Sequence, residues 1–256
     1  MKYLRSYQYI FDHKDWLMQV LMIALGMLIP VIGPIVLLGY SFELMEWLIA
    51  NPDAKEYPKF DFSRFTENLK RGMWPFLTQL IISLVISVPV SLVAFVIMFI
   101  AGLLAKDAPI LIVLAQIFLF VISMALGIVI SVVTTPAMLH AGFKSKLDFS
   151  GLTAFVKDFA KRMWKETAIA MVFLIATAWA LSFVGMCMFC IGIYFTSAVV
   201  YLAKDHLFYQ LYILYLSRGG IAVHSTGRVP PPDDLLGNEP PPPPPPGPPD
   251  DRIRSA

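Results

Sequence analysis

Residues 74–142 are hydrophobic almost without interruption. Across these 69 positions the only Asp, Glu, Lys or Arg residues are the adjacent Lys106 and Asp107. A bilayer-crossing helix needs about 20 apolar residues. Segments 74–105 and 108–142 both exceed that, and Lys106-Asp107-Ala108-Pro109 reads as the turn between them. The stretch predicts a transmembrane helical hairpin, whose helices satisfy their backbone polar groups internally.

Elsewhere the pattern alternates between amphipathic and apolar segments. Tyr3, Leu4, Tyr7, Ile10 and Phe11 recur at helical spacing, opposite Lys2, Arg5, Gln8 and Asp12. Residues 1–15 therefore predict an interfacial helix with tyrosines at headgroup depth. They do not form a secretory signal, because no small-residue cleavage site follows the apolar run. Residues 16–50 hold two apolar segments split by Pro30-Val31-Ile32-Gly33-Pro34, the first of them short for a span. Glu43 and Glu46 fall near the end of the second and are expected at the water interface. The alternative places Glu43 in a polar cavity.

A polar connector, 51–73, ends in a basic amphipathic helix. Ser63 is its expected N-cap, Phe62, Phe65, Leu69 and Met73 its apolar stripe, and Arg64, Glu67, Lys70 and Arg71 its polar face. The pattern returns at 148–165. Leu152, Phe155, Val156, Phe159 and Met163 oppose Lys157, Asp158, Lys161, Arg162 and Lys165. Asp61-Phe62-Ser63 recurs as Asp148-Phe149-Ser150, and Lys70-Arg71-Gly72-Met73-Trp74 as Lys161-Arg162-Met163-Trp164. A third apolar pair follows, 167–183 and 186–203, with a turn expected at Val184-Gly185. Ile191-Gly192 echoes Ile32-Gly33.

These matches define a repeated unit, an amphipathic helix followed by a hairpin. The predicted fold is an all-α polytopic membrane bundle. It has about six transmembrane helices in three hairpins, in units 1–50, 60–142 and 148–217, each hairpin preceded by a basic interfacial helix. The integral membrane domain is 1–217. Residues 218–256 form a disordered tail. Twelve of the chain's 20 prolines lie between residues 230 and 249, seven of them consecutive at 240–246. Such a run favours extended polyproline II, as a spacer or as a ligand for an aromatic groove.

Composition agrees with a membrane protein. The chain is 57% hydrophobic and 15% charged, with mean hydropathy +0.69. The net charge of +2 says little by itself; its distribution says more. If the hairpins alternate sides, 19 of the 20 Lys and Arg residues share one face with both termini, leaving only Lys106 opposite. Basic residues in short loops remain cytoplasmic. Both termini are therefore expected in the cytoplasm, with the chain in the inner (cytoplasmic) membrane.

The segment PVIGPIVLLGYSFELMEWLI at 30–49, the connector with Pro58 and Phe60, and the basic helix up to Gly72 resemble the DUF4013 family of bacterial and archaeal membrane proteins of unknown function. The resemblance spans about residues 1–216. CIGIYFTSAVVYLAKDHLFYQLYI at 190–213 is also similar to membrane regions of glycerophosphodiesterase-associated multi-span families. The likeness implies an integral membrane protein. It supplies no catalytic residues.

Candidate chemistry is sparse. Cys187 and Cys190 have the C-x-x-C spacing of a redox pair but no thioredoxin-like surroundings. As i, i+3 residues of one helix they read equally as small buried apolar residues. His13, His140 and His206 would form a metal site only if all three units converged. No phosphate loop, serine-nucleophile or zinc-protease motif is present, and no cofactor is expected. The basic residues Arg64, Lys70, Arg71, Lys157, Lys161, Arg162 and Lys165 are candidate contacts for anionic lipid headgroups; with spans adjoining them, nucleic acid is not the expected partner. Glu43, Gln79, Ser87 and His140 are the candidate lining of a polar cavity. The leading function class is a non-catalytic scaffold, lipid-organising or assembly protein, with a protein partner reached through the tail. The alternatives are a transporter or channel component, supported by Pro89, Pro136 and Ser83, Ser87 and Ser91, and a thiol redox membrane protein.

Overall fold

The computed structural model describes residues 1–52, 56–105, 110–146, 148–188 and 191–223. Seven α-helices and no strand occur among them: α1 (Arg5–Asp12), α2 (Trp16–Met27), α3 (Ile32–Ala50), α4 (Phe65–Leu104), α5 (Ile110–Lys144), α6 (Phe149–Cys187) and α7 (Ile191–Ser217). The turn at Lys106-Asp107-Ala108-Pro109, Cys190 and the proline-rich tail from 224 lie outside the described residues.

Two of the helix starts use the repeated Asp-Phe-Ser. Asp61 Oδ1 accepts from Ser63 N at 2.8 Å and Asp61 Oδ2 from Ser63 Oγ at 2.6 Å, ahead of the 3₁₀ turn Phe62–Arg64 that leads into α4. Asp148 Oδ1 accepts from Gly151 N at 3.2 Å and from Ser150 Oγ at 2.9 Å, at the start of α6. The cap is thus the aspartate, not the expected Ser63: its carboxylate reaches an orphan N–H of the first turn, while the serine hydroxyl donates to it. These bonds hold both carboxyls below the usual carboxylate range: the Ser63 hydroxyl and amide act on Asp61, the Gly151 amide and Ser150 hydroxyl on Asp148.

The basic amphipathic segments are not separate interfacial helices. Each is the first part of a continuous helix, α4 with 40 residues and α6 with 39. α4 runs on through Gly72 and Pro75 without a break, and the stripes meet protein. Phe155, Phe159 and Met163 are buried against Leu211, Tyr212 and Tyr215 of α7. Phe62, Phe65 and Leu69 pack on the cluster around Tyr40 and Leu44 of α3. Likewise α1 docks on α7, burying Ser6, Tyr9 and Ile10, while Leu4 and Phe11 remain exposed.

The two outer hairpins turn on the same device. Gly33 fits against the carbonyl oxygen of Gly26, 2.0 Å from where a Cβ would stand, and Gly192 against that of Gly185, at 2.6 Å. Gly33 N donates to Ile29 O and Gly192 N to Met188 O, the same four-residue step. Both pairs are seven residues apart, a structural counterpart of the expected repeat. No turn forms at the expected Val184-Gly185; α6 runs on to Cys187. A helix tolerates one glycine, and here its missing side chain makes room for Gly192 and Thr196.

Among the described residues four helices are long and apolar enough to cross a membrane, α3, α4 with its leading 3₁₀ turn, α5 and α6. By that measure α2, with 12 residues, is too short. α7 is absent from this group; it carries Lys204, Asp205 and His206 in its middle. The buried core lies at one end of the molecule. It is built from α1, α2, α3, the first turns of α4 and α6, the last turns of α5, and α7 from Ala198 onward. The chain does not leave the fold at 218. Gly219, at φ +76°, ends α7 in a Schellman turn, with Gly220 N donating to Tyr215 O and Gly219 N to Leu216 O. Ile221 N and Val223 N then donate to the Tyr215 and Tyr212 hydroxyls, each at 2.9 Å.

Candidate functional site

The polar groups of the buried end converge on α3 and α7. α3 and α4 cross where glycine is required. A Cβ on Gly39 would stand 1.9 Å from the Asn68 carbonyl oxygen, and one on Gly72 would stand 1.8 Å from that of Ile35. This crossing lays the start of α4 over the second half of α3, and two ion pairs form across it. Glu43 pairs with Arg64, and Arg71 Nη2 lies 2.6 Å from Glu46 Oε2. Glu43 and Glu46 are buried, 5% and 6% exposed, so the expectation that water reaches them is corrected. The cause is the α4 segment across them, whose arginines replace water as partners.

Ser41 extends the polar seam to α7. Its Oγ donates to Asp205 Oδ2 at 2.7 Å and accepts from Tyr201 OH at 2.8 Å. Asp205 is fully buried. Lys204 Nζ lies 3.2 Å from Asp205 Oδ1, an ion pair, and 3.7 Å from the centroid of the Tyr201 ring. On the other side of α7, His206 stacks on Tyr9 at 4.3 Å, Tyr9 packs on Tyr57 at 5.2 Å, and Tyr57 on His13 at 4.4 Å. His13 and His206 thus end one four-ring column. His140 stands elsewhere, buried beside Phe155 with Nδ1 lacking a hydrogen bond. Among the described residues no group of three His, Cys, Asp or Glu could hold a metal ion.

Among the described residues, two of the clefts that open from this end bear on these groups. The first, about 390 Å³, brings together Glu46, Glu67, Lys70, Arg71, Trp74 and Ser145. The second, about 380 Å³, lies between α3, α4 and α7. Its apolar walls are Pro34, Leu38, Phe76 and Leu80. Gln79, Ser83, Tyr201 and Lys204 add polar groups.

The predicted cavity residues do not share one site. Gln79 lines the second cleft, Glu43 pairs with Arg64, Ser87 is exposed on α4, and His140 sits against Phe155. Of the predicted surface cations, Arg64 and Arg71 bridge to α3. Arg162 Nε pairs with Asp158 at 2.8 Å. Lys70, Lys157, Lys161 and Lys165 are exposed, and the Lys165 ammonium lies 5.5 Å from the Trp164 ring. Cys187 ends α6 and is exposed, so it is not the buried apolar residue its setting suggested. Sequence reading missed Ser41, Tyr201 and Asp205 as a unit. The available signal was a Ser and a carboxylate inside otherwise apolar helices, but 164 residues separate them.

Residues 22–202 match the model of a family described as "Protein of unknown function (DUF4013)", a span shorter at both ends than the expected 1–216. No curated protein and no solved structure matches the chain.

Proposed function

Since the chain belongs to the DUF4013 family of proteins of unknown function, we propose that it is a multi-pass integral membrane protein that organises lipid at its charged end and does not turn over a substrate. One observation carries the reading: apolar exposure and charge occupy opposite ends of the molecule. The most apolar stretches of α4, α5 and α6 are only 0%, 6% and 17% buried, and their surfaces are Leu, Val, Ile and Phe. A soluble monomer rarely exposes so large an apolar patch.

In this reading three hairpins enter the bilayer from the cytoplasmic face, which carries both termini, the ion pairs and the exposed lysines. Their depths differ. Residues 74–104 of α4 run about 46 Å at 1.5 Å per residue, more than enough to reach across the hydrocarbon core. The 12 residues of α2 cover only about 18 Å, so the α2–α3 hairpin stops inside it. Lys70 and Arg71 beside Trp74, and Lys157, Lys161 and Lys165 beside Trp164, supply cations and aromatics at headgroup level. Each such cation near anionic lipid contributes about 1 kcal/mol. The proline-rich tail is the arm that reaches a partner.

Reporter fusions test the topology. Those at residues 55, 147 and 225 are expected to report cytoplasm, and one at 107 the exterior. A thiol at Val31→Cys is expected to resist membrane-impermeant reagents from both sides. Fusions at 55 and 147 on opposite sides overturn the three-hairpin arrangement. Transport is the second reading, favoured by the fully buried Asp205 in a helix that meets the apolar region. Gradient-driven uptake into liposomes, abolished by Glu43→Gln or Asp205→Asn, would establish it.

A further inference from the structure

The cleft between α3, α4 and α7 lies at the step where the short hairpin ends beside the long one. Pro34, at the start of α3, stands level with Gln79, Leu80 and Ser83 of α4. Beyond that level α4 continues without α3 beside it, and Leu84 and Val85 are 53% and 69% exposed. The cleft is therefore open sideways, toward the apolar surroundings of α4. At about 380 Å³ it is at the small end of ligand sites, room for part of one chain and a headgroup.

Its chemistry is divided along its length. Phe76, Leu80, Pro34 and Leu38 offer hydrocarbon contact. Lys204 is the one charged residue in the lining, and no carboxylate joins it there. Its ammonium is held by the face of the Tyr201 ring, 3.7 Å from the centroid, a contact that positions a cation without using its N–H donors. Asp205 Oδ1, 3.2 Å away, pairs with it and fixes its position, taking at most one donor. An amine has three donors, and this one keeps donors for an oxyanion. Gln79 and Ser83 stand on the exposed wall, where ester and glycerol oxygens would fall. A cationic ligand meets the lysine, and a small hydrophilic anion meets apolar walls. An anion attached to a hydrocarbon chain suits both.

We propose that this cleft holds one anionic phospholipid drawn from the bilayer, its phosphate on Lys204 and one acyl chain along Phe76 and Leu80. The assignment rests on the membrane reading above. It differs from the surface lysines in being a single saturable site.

The test uses the full chain reconstituted in vesicles of equal parts phosphatidylcholine and phosphatidylglycerol, then extracted in mild detergent for native mass spectrometry. One phosphatidylglycerol is expected to remain on each chain. Lys204→Gln is expected to lower its retention about tenfold or more, the effect of losing one charge-assisted contact, and Lys204→Arg to preserve it. Ser83→Trp, which fills the cleft from its exposed wall and leaves the buried seam intact, is expected to expel the lipid as well. Millimolar inorganic phosphate is expected not to displace it. Equal retention by the wild-type chain, Lys204→Gln and Ser83→Trp, or displacement by inorganic phosphate, would overturn the site. A chain that floats with the vesicles yet retains no phosphatidylglycerol fails the cleft alone. One that does not float fails the membrane reading.

Discussion

α3 and α4 are both apolar enough to cross a membrane, α3 the less so. Their surroundings are opposite. The most apolar window of α3 is 83% buried within the protein, that of α4 0%. The difference comes from a few side chains. α3 carries Gly39, Ser41, Glu43 and Glu46, and each meets a specific partner on α4 or α7. The distal part of α4 offers Leu, Val, Ile and Phe, with Gly102 facing open space. Apolar area drives no association between helices already surrounded by hydrocarbon. Close backbone approach and polar contacts do. What marks a helix as interior in such a molecule is therefore its small and polar residues, the ones an apolarity scale counts against it.

The strongest way to break that contrast is to give the two glycine classes the same side chain. A Cβ on Gly39 meets the Asn68 backbone 1.9 Å away, and backbone cannot swing aside. Gly39→Leu or Gly72→Leu is expected to separate α3 from α4, at well above the 1–3 kcal/mol or so of ordinary overpacking. The loss should appear as aggregation or a collapsed melting transition in detergent. Gly102→Leu and Gly127→Leu, with nothing within 4 Å of the new Cβ, should leave the melting profile near that of the wild type. Equal damage at all four positions would show that burial does not distinguish the helices.

The next effect comes from the ion pairs. Arg71→Ala leaves Glu46 buried without its cation, and breaking such a pair costs about 3–5 kcal/mol. The Arg64 side chain is 46% exposed, so water softens its loss and Arg64→Ala should cost distinctly less. Combining Glu46→Gln with Arg71→Met should recover most of the stability lost by Arg71→Ala, in thermal unfolding of the purified chain. A double variant as damaged as the single one would show that the pair has no mutual dependence.

Much of this arrangement was legible in the sequence, and the misses share a cause. Periodicity and apolar length located the helices, the Pro30–Pro34 turn and the Asp-Phe-Ser starts, because those signals are local. The amphipathic stripes were legible as stripes. Whether lipid or α7 covered Phe155, Phe159 and Met163 was not, since both covers are apolar. Glu43 and Glu46 were read as solvated because carboxylates near a helix end usually are. Only the Gly39–Gly72 crossing, which joins residues far apart in the chain, brings Arg64 and Arg71 over them. The Ser41–Asp205 contact escaped for the same reason.

A smaller effect separates the caps from the core. Asp61 is exposed and Asp148 half-buried, and their carboxyls are held below the ordinary value by hydrogen bonds that exist only in the folded chain. A depressed carboxyl pKa contributes stability at pH above its unfolded value of about 3.9, and that contribution is lost as pH falls through the folded value. Melting temperature should therefore drop slightly as pH is taken from neutral into the acid range below about 4. The double variant Asp61→Asn, Asp148→Asn should melt lower at neutral pH and show a shallower acid slope. An unchanged slope would mean that the caps do not couple to folding.

The smallest expected change lies at the tip where the short hairpin ends. Val31 has φ 65° and ψ −57°, and Ile32 N donates to Pro30 O at 2.7 Å, which together make a γ-turn. That conformation strains a residue with a Cβ, most of all a β-branched one, by about 1–3 kcal/mol. Val31→Gly removes the strain, and the added freedom of the unfolded chain offsets about 0.5–1 kcal/mol of the gain. Val31 is 66% exposed, so little packing within the protein is lost. The expected result is a melting temperature slightly above that of the wild type, with Val31→Ala gaining less because its Cβ keeps part of the clash. Val31→Asp supplies the contrast with depth: in detergent it should resemble Val31→Ala, whereas in vesicles a charge at a tip held inside the hydrocarbon should impair insertion. A Val31→Asp chain that inserts as well as the wild type would move the α2–α3 tip out of the bilayer interior and leave α4–α5 the only deep hairpin beside α6–α7.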